Sequence, residues 1–122
     1  MSSAFAHVHT IVPRQIWEGI TSRAVDGENV TVTLLELDAN AVVPEHSHVN
    51  EQIGVLVEGS VSFRIGDETG EVETGGMWVI PAHVPHTVTV GPSGAVIVEV
   101  FSPPRHDWES VETLPPGPGR WP

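Results

Sequence analysis

Apolar and polar residues alternate with a period of two along most of the chain. No apolar stripe of period 3.6 persists beyond a turn or two, so the pattern predicts strands rather than helices. Runs rich in valine, isoleucine and threonine place them over 29–39 (NVTVTLLELDA), 52–59 (QIGVLVEG), 60–66 (SVSFRIG), 70–73 (GEVE), 77–81 (MWVIP), 86–90 (HTVTV) and 95–102 (AVIVEVFS). Glu58-Gly59-Ser60 predicts a tight hairpin between the second and third runs, and Gly91-Pro92-Ser93-Gly94 a connection between the last two. Many short strands at this spacing form a sandwich or a barrel, so an all-β fold is expected. In the last run, Val96, Val98 and Val100 share one face, and Ala95, Ile97, Glu99 and Phe101 the other. A strand apolar on both sides is expected to be buried on both, which puts the Glu99 carboxylate where it needs a partner.

The flanks differ from this pattern. Residues 1–12 read as an N-terminal arm. Residues 109–122 (ESVETLPPGPGRWP) switch to proline and glycine, which suits a tail lying over the domain or frayed better than a central strand. Between them, 13–108 reads as a single β domain, because 122 residues can bury one self-sufficient core but not two.

Composition narrows the chemistry. Cysteine is absent, which excludes disulfides, cysteine-ligated zinc and a thiol nucleophile, so histidine must carry any metal chemistry. The chain begins without a basic leader or an apolar run of signal-peptide length and holds no 18-residue apolar stretch. The expectation is therefore a soluble, cytoplasmic protein. A net charge of −11, with five arginines and no lysine, repels phosphate backbones and anionic lipid, so neither nucleic acid nor membrane is an expected partner. A small acidic substrate stays compatible, since one arginine beside a metal ion reverses the local potential.

Two histidine doublets share one spacing, His7-Val8-His9 and His46-Ser47-His48, and only the second has supporting context. In an extended strand His46 and His48 fall on one face, as do positions 50, 52 and 54 if the strand continues. Gln52 follows four residues after His48 and Gly59 seven later. The pattern resumes at Gly75-Gly76-Met77-Trp78-Val79-Ile80-Pro81 and ends in Ala82-His83-Val84-Pro85-His86. His7, His9 and His106 read as solvated histidines, and Glu51 as a charge facing away from Gln52. Arg105 follows Pro103-Pro104, which stiffen its approach, and its fork suits a carboxylate of the protein or of a ligand.

These spacings resemble the two motifs of the cupin superfamily, the first supplying His-x-His and a Glu or Gln, the second a final His. The resemblance implies a single-domain cupin jelly-roll β-barrel over 13–108, with His46, His48, Gln52 and His86 as ligands of one divalent transition metal ion: Zn, Ni, Mn, Fe or Cu. Two positions depart from the motifs: Asn40 and His83 stand where glycine is usual. Asparagine is the next-best residue for a left-handed backbone, and His83 leaves a fifth ligand open. Three neutral histidines and a neutral glutamine leave the ion's double charge uncompensated, so the site should welcome an anionic oxygen.

The stretches HSHVNEQIG, IPAHVPHTV and VFSPPR together look like the small cupins of pectin and alginate breakdown, which linearise 4,5-unsaturated uronic acids; the likeness runs from about Trp17 to Trp108. By that resemblance Glu99, Phe101 and Arg105 act on the substrate beside the metal. Glu99 moves a proton, Arg105 holds the substrate carboxylate and Phe101 shapes the apolar wall. Glu99 stands where that group has Asp, a methylene longer, which bears on which substrate fits. The family also implies a homodimer. Other functions hosted by such barrels stay open: a polyketide-cyclase-like enzyme, favoured if His83 ligates, an iron dioxygenase, and a non-catalytic small-molecule binder.

Overall fold

The computed structural model describes residues 3–121. Its strands are β1 (Arg14–Trp17), β2 (Ile20–Asp26), β3 (Thr31–Leu37), β4 (Val42–His46), β5 (Glu51–Ile65), β6 (Glu68–Glu73), β7 (Met77–Ile80) and β8 (His86–Ser102), followed by a short 3-10 helix, His106–Ser110. The all-β expectation holds. No helix among the described residues is long and apolar enough to cross a membrane.

The predicted hairpin at 58–60 does not form. β5 runs through it, and its pairing with β8 shifts register between Leu56 and Glu58 and between Gly59 and Val61. Gly91–Gly94 is likewise no connection between two strands but a bulge inside β8, since Gly59 pairs with Ala95 while Val61 pairs with Val90. One close approach explains both corrections. Gly59 takes φ +91°, and a Cβ there would lie 2.1 Å from the Gly94 carbonyl oxygen. Glycine lets two long strands bend together at one point, and the turn formers serve that shared bend.

The bend builds the barrel. The strand order is β1-β2-β3-β8-β5-β6, with β4 on β8 and β7 on β5. One layer holds β1, β2, β3, β7 and the halves of β8 and β5 near Ile97 and Leu56; the other holds β4, β6 and the halves near Val88 and Phe63. Between them lie Ile20, Leu35, Leu37, Leu56, Phe63, Ile80, Val88 and Ile97, all buried. Strands β1, β2 and β4 carry no continuous valine-isoleucine run (RQIW, ITSRAVD, VVPEH), and the sequence pattern did not predict them. They form because β3 and β8 offer edges to pair with; β2 matches β3 over seven consecutive residue pairs.

Arg23, buried on β2, ties down both flanks. Its Nε meets Glu36 Oε1 at 2.6 Å, and its remaining nitrogens donate to the carbonyls of Val8, Ile11, Gly117 and Pro118. The C-terminal segment lies over the barrel, with Arg120 N donating to Glu36 Oε2.

Candidate metal centre

β4 ends at His46, so the doublet is not part of one continuous strand; His48 sits in the loop that leads into β5. Pairing of His46 with His86 across β4 and β8 brings the third histidine in. The three rings converge, with one ring nitrogen from each lying within 4.8 Å of the others.

Local hydrogen bonds set their tautomers. Each Nδ1 lies 2.9 Å from a backbone carbonyl two residues away: Pro44 for His46, Asn50 for His48 and Val84 for His86. A carbonyl only accepts, so each Nδ1 carries the proton and each Nε2 presents a lone pair. His86 Nε2 is buried without a hydrogen-bond partner. Burial is the main cause that holds the His48 imidazole below its ordinary pKa and pushes that of His86 down to about 4, so both favour the neutral, ligating form.

Gln52, buried on β5, joins this cluster. Its Oε1 faces His48 Nε2 at 3.0 Å, while its Nε2 donates to Glu99 Oε2. The carboxylate fixes the amide orientation, so two acceptors confront each other at hydrogen-bond distance. An orphaned buried Nε2 and an acceptor facing an acceptor are what a cation among these atoms resolves. The donor set, three imidazoles and an amide oxygen, suits a divalent transition metal.

Behind Gln52 stands Glu99, 2% exposed. Its Oε2 also accepts from Trp78 Nε1 at 2.9 Å. Desolvation raises its pKa, and the bonds from Gln52 and Trp78 and the charge of Arg105 oppose the rise. Ala95, Ile97, Glu99 and Phe101 all face the interior, as the alternation implied, whereas Val100 on the other face is partly exposed, so β8 is not buried on both sides. Gly54 makes room for Trp78: a Cβ at 54 would lie 2.4 Å from the indole.

The Arg105 guanidinium lies over the rings of Phe101 (4.8 Å) and Trp108 (4.4 Å). The fork expected to meet a carboxylate does so within the protein, with Nε 3.0 Å from Asp107 Oδ1 and Nη2 2.8 Å from Oδ2. Asn50 locks this segment to the histidine loop, since its side-chain amide donates to the carbonyls of Pro103 and Pro104 while its own carbonyl holds His48. His46, His86, Gln52, Glu99, Phe101 and Arg105 line one cavity of about 50 Å³, together with Trp17 and Trp108. That is room for a few waters, enough for the reacting edge of a ligand rather than a whole sugar ring.

His83 stays outside. It is exposed, its φ is +67°, and its backbone N–H donates to the His48 carbonyl. Its position therefore serves the left-handed turn before β8, as Asn40 (φ +63°) does before β4. His7 and His9 stack on each other at 5.0 Å, away from the cluster. Sequence reasoning missed Trp78, Asn50 and Asp107. Only Trp78 left a signal, its inward position two before Ile80 in MWVIP.

A family model described as a cupin domain matches residues 33–101. An uncharacterized protein of Streptomyces coelicolor is 30% identical over 77 residues, 63% of this chain and 73% of that protein. Among solved structures, an RmlC-like cupin from Shewanella frigidimarina superposes with a TM-score of 0.80 at 22% identity, covering 87% of this chain and 96% of that one. The structure of KdgF from a Halomonas species gives 0.79 at 23% identity, covering 87% and 98%. At these identities the structural likeness speaks for the fold alone.

Proposed function

The chain belongs to the cupin family, and from that premise we propose that it is a metal-dependent enzyme that linearises a small cyclic sugar acid, a 4,5-unsaturated uronate. The observation that carries this reading is Glu99: a buried carboxylate with raised pKa, one amide away from the histidine cluster, in a cavity shared with Arg105. A protein that only binds acids gains nothing from a buried carboxylate beside its ligand, whereas proton transfer needs one within reach of the reacting atoms. The resemblance of HSHVNEQIG, IPAHVPHTV and VFSPPR to the uronate-linearising cupins supports the same reading.

His46, His48, His86 and Gln52 would hold the metal, which supplies Lewis acidity toward a substrate oxygen. Arg105 binds the substrate carboxylate, and Phe101 excludes water behind it. Glu99, with Oε2 fixed by Gln52 and Trp78, takes the proton of the anomeric hydroxyl as the ring carbon–oxygen bond opens. It returns that proton to C4 as the enolate left by ring opening becomes a ketone. The reaction is an isomerisation and needs no co-reactant. The test follows loss of ultraviolet absorbance of a monomeric unsaturated uronate with metal-loaded protein. Glu99→Gln should bind substrate and metal as wild type and lower turnover by about 10²–10⁴-fold. A wild type no faster than spontaneous decay would refute the substrate assignment.

We further propose a homodimer. Val25, Val32, Val100, Ile53 and Val79 form an unbroken cross-strand row on the outer face of five strands, each exposed and none charged. On a chain of net charge −11, two copies approach at least electrostatic cost along such a row. Ile53→Lys should halve the mass seen in sedimentation; an unchanged dimer would place the contact elsewhere.

A further inference from the structure

We propose that Asp107 is a built-in stand-in for the substrate carboxylate, a tethered competitor that occupies Arg105 until a ligand displaces it. This inference rests on the acid-binding reading of the same cavity. Arg105 is fixed in plane by the Phe101 and Trp108 rings, and Asp107 takes its Nε–Nη2 edge in a bidentate pair. The two partners differ in exposure: the Arg105 side chain is 12% exposed and lines the cavity, whereas that of Asp107 is 63% exposed. Among the described residues no other side chain donates to the Asp107 carboxylate, so it returns to water without leaving a buried group unpaired.

The geometry makes the competition direct. A guanidinium offers two bidentate edges that share Nη2. An incoming carboxylate either takes the Nε–Nη2 edge from Asp107 or sits on the adjacent Nη1–Nη2 edge, where it meets the Asp107 carboxylate across one guanidinium and the two repel. A residue tethered two positions away acts at an effective concentration on the order of millimolar. Simple monocarboxylates, held at Arg105 alone, are weakened by this competition. A ligand held at a second point, by the histidine centre, displaces Asp107.

The test is calorimetric titration of the metal-loaded protein with D-galacturonate, which lacks the 4,5-double bond, and with neutral D-galactose. Asp107→Asn, which keeps the shape, and Asp107→Ala should each tighten galacturonate binding by about 1.5- to 5-fold, the worth of a partly exposed ion pair. Galactose binding should not move, and neither substitution should help in an Arg105→Ala background. Unchanged or weaker galacturonate binding in both variants would overturn the proposal. So would an equal gain for galactose, or a gain that survives without Arg105. If no form binds galacturonate, the acid-site reading falls and the proposal with it; binding without the gain defeats the proposal alone.

Discussion

Replacing Trp78 with phenylalanine removes one hydrogen bond from the site together with the part of the indole that packs on Gly54. The indole Nε1 donates to Glu99 Oε2 at 2.9 Å, while the ring packs on Phe63 with centroids 4.7 Å apart, a contact phenylalanine keeps in large part. A hydrogen bond to a charged group is worth about 1.5–3 kcal/mol. At about 1.4 kcal/mol per pKa unit, Glu99 should titrate about one to two units higher in the variant. Carbon-13 NMR of the glutamate carboxyl reads this directly, and the acid limb of kcat/KM should move with it. The sign for stability follows. Glu99 already titrates above its ordinary 4.5 because of burial, so the folded chain holds a proton that the unfolded chain releases. That contribution is full below pH 4.5 and is lost as pH rises through the folded value; in Trp78→Phe the decline extends to higher pH. An unmoved Glu99 titration would show that Trp78 only packs and would remove it from the account of how Glu99 is poised.

Gly54→Ala should drive the indole away from Glu99, since the new Cβ would sit 2.4 Å from it. We expect a loss of about 1–3 kcal/mol in urea unfolding with the same upward Glu99 shift, and an unchanged midpoint would contradict the contact. Because the His86 pKa is pushed down to about 4, its neutral form contributes stability that is full above pH 6.5 and lost as pH falls toward 4. Metal content measured after dialysis at graded pH should fall on approach to 4 in wild type and be low throughout in His86→Ala, and full retention in the variant would argue against His86 as a ligand. Arg23→Ala should cost about 1–3 kcal/mol by removing the bond to Glu36, which keeps Arg120, and the bonds to the flanking carbonyls, and should open both chain ends to limited proteolysis; termini that stay protected would show another anchor.

The alternation along AVIVEVFS was enough to put Ala95, Ile97, Glu99 and Phe101 on one interior face, because the pleat of a strand is a local property of the backbone. The resemblance to the cupin motifs, rather than residue type, singled out His46, His48, Gln52 and His86, since His7 and His9 share the same spacing; the apolar neighbours of Glu99 pointed to its need for partners, because a buried carboxylate cannot stand alone. Tertiary structure decided the rest. Glu58-Gly59-Ser60 reads locally as a turn, and only the approach of Gly94 shows that it bends a continuous strand. Gly54 is small because Trp78 arrives from β7, and the Pro103-Pro104 approach to Arg105 is held by Asn50 of the histidine loop. Such contacts join residues far apart in the chain. Their pairing depends on which strand edges meet, and a pattern of period two carries no information about that.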